Sequence, residues 1–317
     1  MTGISGQDGS YLAELLLAKG YEVVGLVRES DGLGLVEHLS DQLQVLGGDL
    51  LDPASLRAAV ELSRPTEIYH LAAPSFVPAS WEHPDESLAA IAAATATLLT
   101  VVRDLAPAAR VYVAGSGAMY GEAAESPQNE RTVSRPSTPY AIAKLATHQL
   151  VGAMRKHYGL HASSGITFNH ESERRPANFV TRKITRAAAA VSLGVADEVV
   201  LGDLSAVRDW TFAGDIVRAA WLMLQQAEAD DYVLASGVPH TVAEFAGVAF
   251  AHVGLEADRY VRVDPTLVRA PEQTPSVGDP TRARQRLGWW PEVDFEALVA
   301  RMVEADLAAL REAGGAA

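Results

Sequence analysis

Cysteine is absent from the 317 residues. That excludes a disulfide framework, thiolate metal sites, iron–sulfur clusters and a cysteine nucleophile, and it suits a reducing cytoplasm. Lysine is scarce. Of 26 basic residues only Lys19, Lys144, Lys156 and Lys183 are lysines, so each is worth locating. Positive charge is in deficit as well, 26 basic against 40 acidic residues, a net charge of −14. A polynucleotide would meet net repulsion, and no basic patch offsets it, so no nucleic-acid partner is expected. No uninterrupted apolar run reaches the roughly 18 residues of a membrane span. The opening Met1-Thr2-Gly3-Ile4-Ser5-Gly6 lacks the basic start of a signal peptide. The expectation is a cytoplasmic protein with no membrane partner.

What is present suffices for a large core. At about 150 residues per domain the length predicts two domains, or one α/β domain with an elaboration. Neither disulfides nor a structural metal is needed to fold a chain of this size, and no metal site is read from it. Short apolar runs at 22–27, 43–46, 67–71 and 110–114 alternate with helical patterns at 10–18, 54–62, 86–104 and 138–158. Such alternation predicts a parallel sheet with helices on both faces. Further on, 178–193, 214–227, 241–253 and 295–312 read as helices and 232–234 as a strand. Prolines 265, 271, 275, 280 and 291 mark irregular connections.

The chain opens on glycines. Gly3, Gly6 and Gly9 stand three apart before the helix-like Ser10-Tyr11-Leu12-Ala13-Glu14. Glycines permit a tight turn, and a helix N-terminus offers backbone N–H groups to a pyrophosphate. The predicted fold is therefore α/β: a Rossmann-type doubly wound parallel sheet over 1–165, with part of 211–240 returning to it. A smaller, C-terminally weighted substrate-binding domain takes most of 166–317. A loop of this kind follows a buried strand, yet here the sequence starts at the loop. A sheet missing its central strand would expose two edges. Arg28 follows the second predicted strand, where NAD-specific proteins place an acid on the ribose 2′-OH. Arginine there favours a 2′-phosphate, so NADP is expected ahead of NAD.

Ser116 ends the run at 110–114. Tyr140 and Lys144, four apart, share one face of a predicted helix. A phenol with a pKa near 10 is a poor base, but an adjacent ammonium favours the phenolate. Such a tyrosine could take a proton from a sugar hydroxyl that Ser116 orients.

With these features together the chain resembles the extended short-chain dehydrogenase/reductases that act on nucleotide sugars, and most closely the GDP-mannose 4,6-dehydratases. The residues carrying the resemblance are 2–10, Ser137 to Leu145, Phe168-Asn169-His170-Glu171-Ser172-Glu173-Arg174-Arg175, Phe179 to Thr185, Arg208-Asp209-Trp210, and Val263-Asp264-Pro265 with Arg269. It spans nearly the whole chain, and 168–185 is specific to that branch. The resemblance implies that Gly3, Gly6 and Gly9 hold the pyrophosphate, and that Asp49 and Leu50 lie at the adenine. It places Leu71, Ala72, Ala73 and Ser75 along the nicotinamide ribose and sugar. His170 and Arg175 match cofactor contacts, and the Arg174-Arg175 loop is associated with subunit packing in a dimer or tetramer. Asn169, Lys183, Arg208, Arg269 and Glu272 match GDP-sugar contacts. A dianionic diphosphate calls for such Arg and Lys side chains.

One departure matters. Where the dehydratases carry Thr-Ser-Glu, this chain has Ser116-Gly117-Ala118. In that family the glutamate removes the C5 proton and helps C6 lose water. Ala118 cannot, and losing a general base costs about 10²–10⁴-fold. Either another acid, Glu122 or Glu171, substitutes, or elimination does not occur. The first expectation is therefore an NADP-dependent GDP-sugar 4-epimerase, with room at Ala118 for a longer sugar. A dehydratase with a displaced base and a GDP-4-keto-sugar reductase are the alternatives. A cofactor-binding protein without catalysis lies outside that class.

Overall fold

The computed structural model describes residues 1–28, 30–267 and 274–315. The first half alternates as its pattern requires: α1 (Gln7–Ala18), β1 (Val24–Val27), β2 (Gln44–Gly47), α2 (Pro53–Ser63) and β3 (Glu67–His70). The predicted helix over 86–104 comes in pieces: α3 (Ala79–Glu82), α4 (Pro84–Leu88), a π-helical turn at Ala89–Ala93, and α5 (Ala94–Leu105). Then follow β4 (Arg110–Ala114), α6 (Pro139–Tyr158) and β5 (Ala162–Thr167). Helix starts obey local chemistry. Asp52 caps α2 through the Ala54 N–H and Thr138 caps α6 through the Ala141 N–H, each with proline next in line. Gly159, at φ +69°, ends α6 in the left-handed conformation that a side chain would strain.

Strands β3, β4, β5 and β9 (Tyr232–Leu234) pair in parallel in that order, and β1 pairs with β2 in parallel. Thr2 joins the two sections through parallel bridges to Leu26 and His70. Its N–H donates to Tyr69 O at 3.0 Å, and its carbonyl accepts the Leu71 N–H at 3.3 Å. Met1 and Thr2 thus occupy the central position between β1 and β3, and the anticipated exposed edges are bridged there.

Helices cover both faces of the sheet. On one side Leu12 and Leu16 of α1 pack with Ile216, Ala220 and Met223 of α8 (Ala213–Leu224). On the other, Leu56, Leu98, Leu99, Val102 and Val151 close over Val111. Burial of each such side chain contributes about 1.5–3 kcal/mol. The 22-residue run Pro84–Leu105 contains an 18-residue window of mean hydropathy 1.6, long and apolar enough by length and composition to cross a membrane, with 39% of that window buried here. Thr95, Thr97 and Thr100 interrupt the run, so the expectation of no uninterrupted span-length apolar run stands beside this match in length and composition.

Residues 166–315 add β6 (Asn169–Glu171), α7 (Val180–Ser192), β7 (Val199–Leu201), β8 (Val207–Phe212), β10 (Pro239–Thr241), α9 (Val242–His252), β11 (Val261–Val263), α10 (Thr281–Leu287) and α11 (Phe295–Gly315). Strand β8 lies between β6, in parallel, and β10, antiparallel, while β7 pairs with β11. Helices α7, α9 and α11 enclose Ile184, Phe245, Phe250, Leu298 and Met302, with Trp210 and Phe212 of β8 against them.

Candidate active site

Helix α6 brings Tyr140 and Lys144 to the end of β4. Tyr140, 9% exposed, packs with Ile91 and Ala143 against Ala73, Val77, Ala92 and Ala118. Lys144, 6% exposed, donates from Nζ to Ala114 O at 2.8 Å, and its Nζ stands 5.8 Å from the Tyr140 ring centre. Ser116 lies two residues past the strand end rather than on it. It caps the short turn Gly117–Tyr120, its Oγ accepting the Ala118 N–H at 3.2 Å.

The glycine loop abuts this group. Gly3 has φ +72°, and a Cβ there would fall 2.7 Å from Ala72 N; one on Gly9 would fall 2.1 Å from Gly3 O. Only glycine allows the backbone to lie this close. Gly6 caps α1 with no side-chain hydrogen bond, leaving the first-turn N–H groups available to an anion. Leu71, Ala72 and Ala73 line a narrow cleft with His70, Thr95 and Lys144. A bare helix start, backbone in close approach and small lining residues together fit a dinucleotide. Asp49 accepts the Leu51 N–H at 2.8 Å, and Leu50 packs beside the α2–α5 layer. Arg28, exposed just past β1, pairs with Asp31 at 2.8 Å.

Strand β6 closes over the start of α1. His170 Nδ1 faces Phe168 O at 2.8 Å, and its Nε2 faces the Asp8 carboxylate at 2.8 Å. Both partners can only accept, so the ring carries both protons. Burial opposes charge on each group. Even so, His170, Gln7 and Arg175 hold the Asp8 carboxyl below its ordinary value, and Asp8 holds His170 above its own. Gln7 also accepts from Ser172 Oγ at 2.8 Å. Arg174 folds onto its own α1, donating to Ser10 Oγ at 2.9 Å and Glu14 at 2.7 Å and covering the Tyr11 ring.

Arg175 pairs with Glu171 at 3.1 Å and lies over Phe179. Glu171, 1% exposed, also accepts from Thr181 Oγ1 at 2.7 Å. That carboxylate is committed, which argues against Glu171 as the displaced base. Glu122 is exposed, on the backbone leaving the Gly117–Tyr120 turn.

The expected sugar-nucleotide ligands sit on several elements. Asn169 is on β6 opposite Trp210, and Arg208 is two residues earlier on β8. Lys183, exposed on α7, lines a 280 Å³ surface cavity with Arg186, Ala187, Ala190 and Leu310. Ser75 is exposed after β3. Arg269 and Glu272 lie outside the described residues. The sequence reading overlooked Asp8, Thr2, His70 and Thr95, all polar and drawn inward by contacts distant in sequence.

The GDP-mannose 4,6 dehydratase family matches residues 1–302. GDP-mannose 4,6 dehydratase 1 of Arabidopsis thaliana is 45% identical over 321 residues, covering 97% of this chain and 89% of that one. The chain belongs to the GDP-mannose 4,6-dehydratase family. Its fold is correspondingly that of an extended short-chain dehydrogenase/reductase enzyme. A Thermotoga maritima UDP-glucose 4-epimerase solved with UDP-glucose superposes with a TM-score of 0.88 at 25% identity, covering 98% of each chain. A Thermus thermophilus UDP-glucose 4-epimerase in complex with NAD superposes with a TM-score of 0.85 at 27% identity, over 97% of this chain and 98% of that one.

Proposed function

We propose that this enzyme oxidises C4 of a GDP-linked hexose and carries the product through to 4,6-dehydration, using NADP in the cytoplasm. The observation that supports this most is the family match over 1–302. It moves dehydration ahead of the epimerisation expected from the sequence. A nicotinamide dinucleotide, when bound along Gly3, Gly6, Gly9 and Leu71–Ala73, supplies hydride acceptance and return. Tyr140 takes the O4 proton. Lys144 stands beside it, anchored on Ala114 O. Ser116 orients O4. The 4-ketone acidifies the C5 proton, and Glu122 is the remaining acid proposed to accept it. Lys183, Arg208 and Asn169 hold the GDP. The choice of NADP is tested by Arg28→Asp, which should weaken NADP binding more than NAD binding; equal losses would mean Arg28 does not read the 2′-phosphate.

A second reading, 4-epimerisation, is favoured by one observation: the Ala118 methyl beside Tyr140 offers no proton acceptor at C5. Incubation with GDP-mannose and longer-chain GDP-sugars, followed by mass and NMR analysis, separates the two. Loss of water supports dehydration. Unchanged mass with inverted C4 supports epimerisation and overturns the first reading.

A further inference from the structure

We propose that His70 is a positioning residue for the Tyr140–Lys144 pair, held as a neutral Nε2–H imidazole in a directed hydrogen-bond chain running from the nucleotide loop to the π-turn behind Tyr140. The inference rests on the C4 redox reading for its kinetic consequence, but not for its geometry.

The direction of the chain is set at its far end. Thr95 Oγ1 donates to Ile91 O at 2.6 Å, and a carbonyl can only accept. A hydroxyl has one proton, so toward His70 Nε2, 3.1 Å away, Thr95 must be the acceptor. The imidazole proton is therefore on Nε2. His70 is 4% exposed, and burial followed by the Lys144 charge pushes its imidazole down to about 3. The neutral Nδ1 then accepts from Thr2 Oγ1 at 2.8 Å, and Thr2 Oγ1 accepts the Ala72 N–H at 3.2 Å. Every bond points one way, from Ala72 through Thr2, His70 and Thr95 to Ile91.

Each end of the chain touches the reaction site. Ala72 packs against Gly3 in the nucleotide loop. Ile91 sits in the π-turn, where the Ala94 N–H reaches back five residues to Ala89 O. Its carbonyl also receives Thr147 Oγ1 at 3.3 Å, from the turn of α6 after Lys144. Its side chain packs on Tyr140. The chain thus fixes the wall on which the catalytic phenol rests and fastens α6 to it. His70 and Lys144 line the same cleft, so a neutral ring there leaves the ammonium without an opposing cation.

Three readouts on the full chain with bound NADP test this. Nitrogen-15 histidine spectra should show His70 as the Nε2–H tautomer, unchanged from about pH 8 to pH 5. His70→Phe and Thr95→Val should each lower kcat about 10–100-fold, with KM for GDP-mannose within about twofold of wild type. The double variant should be no slower than the slower single one, because the two residues act in one chain. An Nδ1–H tautomer, an imidazolium at neutral pH, unchanged kcat or losses confined to KM would overturn the proposal. Should His70→Phe fail to fold, Thr95→Val, which removes a single hydroxyl, carries the same comparisons. If wild type turns over no GDP-sugar, the C4 redox reading fails, while the tautomer still decides whether His70 is held in the proposed chain.

Discussion

Tyr140 and Lys144 differ in what the protein has done to them. Lys144 is buried and tied to a backbone carbonyl, so its charge is fixed in place; Tyr140 is packed on three sides by small apolar groups. In the proposed reaction the hydroxyl is the reacting group, and the ring is only a mount. Tyr140→Phe should keep that mount. Turnover should fall about 10²–10⁴-fold while affinity for the GDP-sugar and the dinucleotide stays within a few-fold, measured by steady-state kinetics and calorimetry. A Phe variant that binds neither would show Tyr140 to be structural. Ala118 touches the same cluster and supplies no carboxylate there. Ala118→Glu should raise the rate of water loss from GDP-mannose by about 10²–10⁴-fold if the native rate is limited by that proton transfer. An unchanged rate would point to Glu122, and Glu122→Gln should then abolish dehydration.

Elements were legible in proportion to their length. Helices of eleven or more residues announce themselves by apolar spacing and by caps such as Asp52 and Thr138. The three-residue strands β6, β7, β10 and β11 are too short to show a period, whereas β9, equally short, was read from its wholly apolar Tyr-Val-Leu. Strand β5 reads Ala-Ser-Ser-Gly-Ile-Thr, polar on paper yet wholly buried, with Gly165 required because a Cβ would strike the Tyr112 ring at 2.5 Å. The π-turn lies in a run of alanines that fits an ordinary helix equally well. At the site, the four-residue spacing of Tyr140 and Lys144 was visible, whereas Asp8 and His170, 162 positions apart, could be joined only by the fold.

That last pair joins two elements, α1 and β6, and its pH dependence has a definite sign. His170 is raised from 6.5, so its contribution is full below that value and fades as pH climbs through the folded value. Asp8 is lowered from 3.8, so its contribution is full above that value and fades only in stronger acid. Wild type should exceed His170→Gln in stability by about 1–3 kcal/mol between these limits. The gap should narrow above neutral pH. Thermal melts across pH check this, and a gap that widens with alkalinity would mean the ring is neutral.

At the scale of the whole molecule, residues 166–315 must be held in register with the parallel sheet if a GDP-sugar on Arg208 is to meet a dinucleotide held by the glycine loop. Asp209 is placed to do this. It is fully buried on β8. Its carboxylate accepts from Ser236 N at 2.9 Å, Ser236 Oγ at 2.6 Å, Gly237 N at 2.9 Å and Gly278 N at 3.2 Å. Three segments converge on one side chain: β8, the turn that follows sheet strand β9, and the segment leading to α10. A carboxylate is acceptor-only, and that is what four converging donors require. Asp209→Asn turns one acceptor into a donor facing backbone N–H groups that have no other partner among these bonds. Each buried group left unpaired costs about 1–3 kcal/mol, so chemical denaturation should show a loss of that order or more. Because Arg208 is the adjacent residue, the folded fraction should bind GDP-sugar more weakly, with KM rising more than kcat falls. Loss of stability with an unchanged KM would mean that Asp209 holds the segments together without setting the position of Arg208.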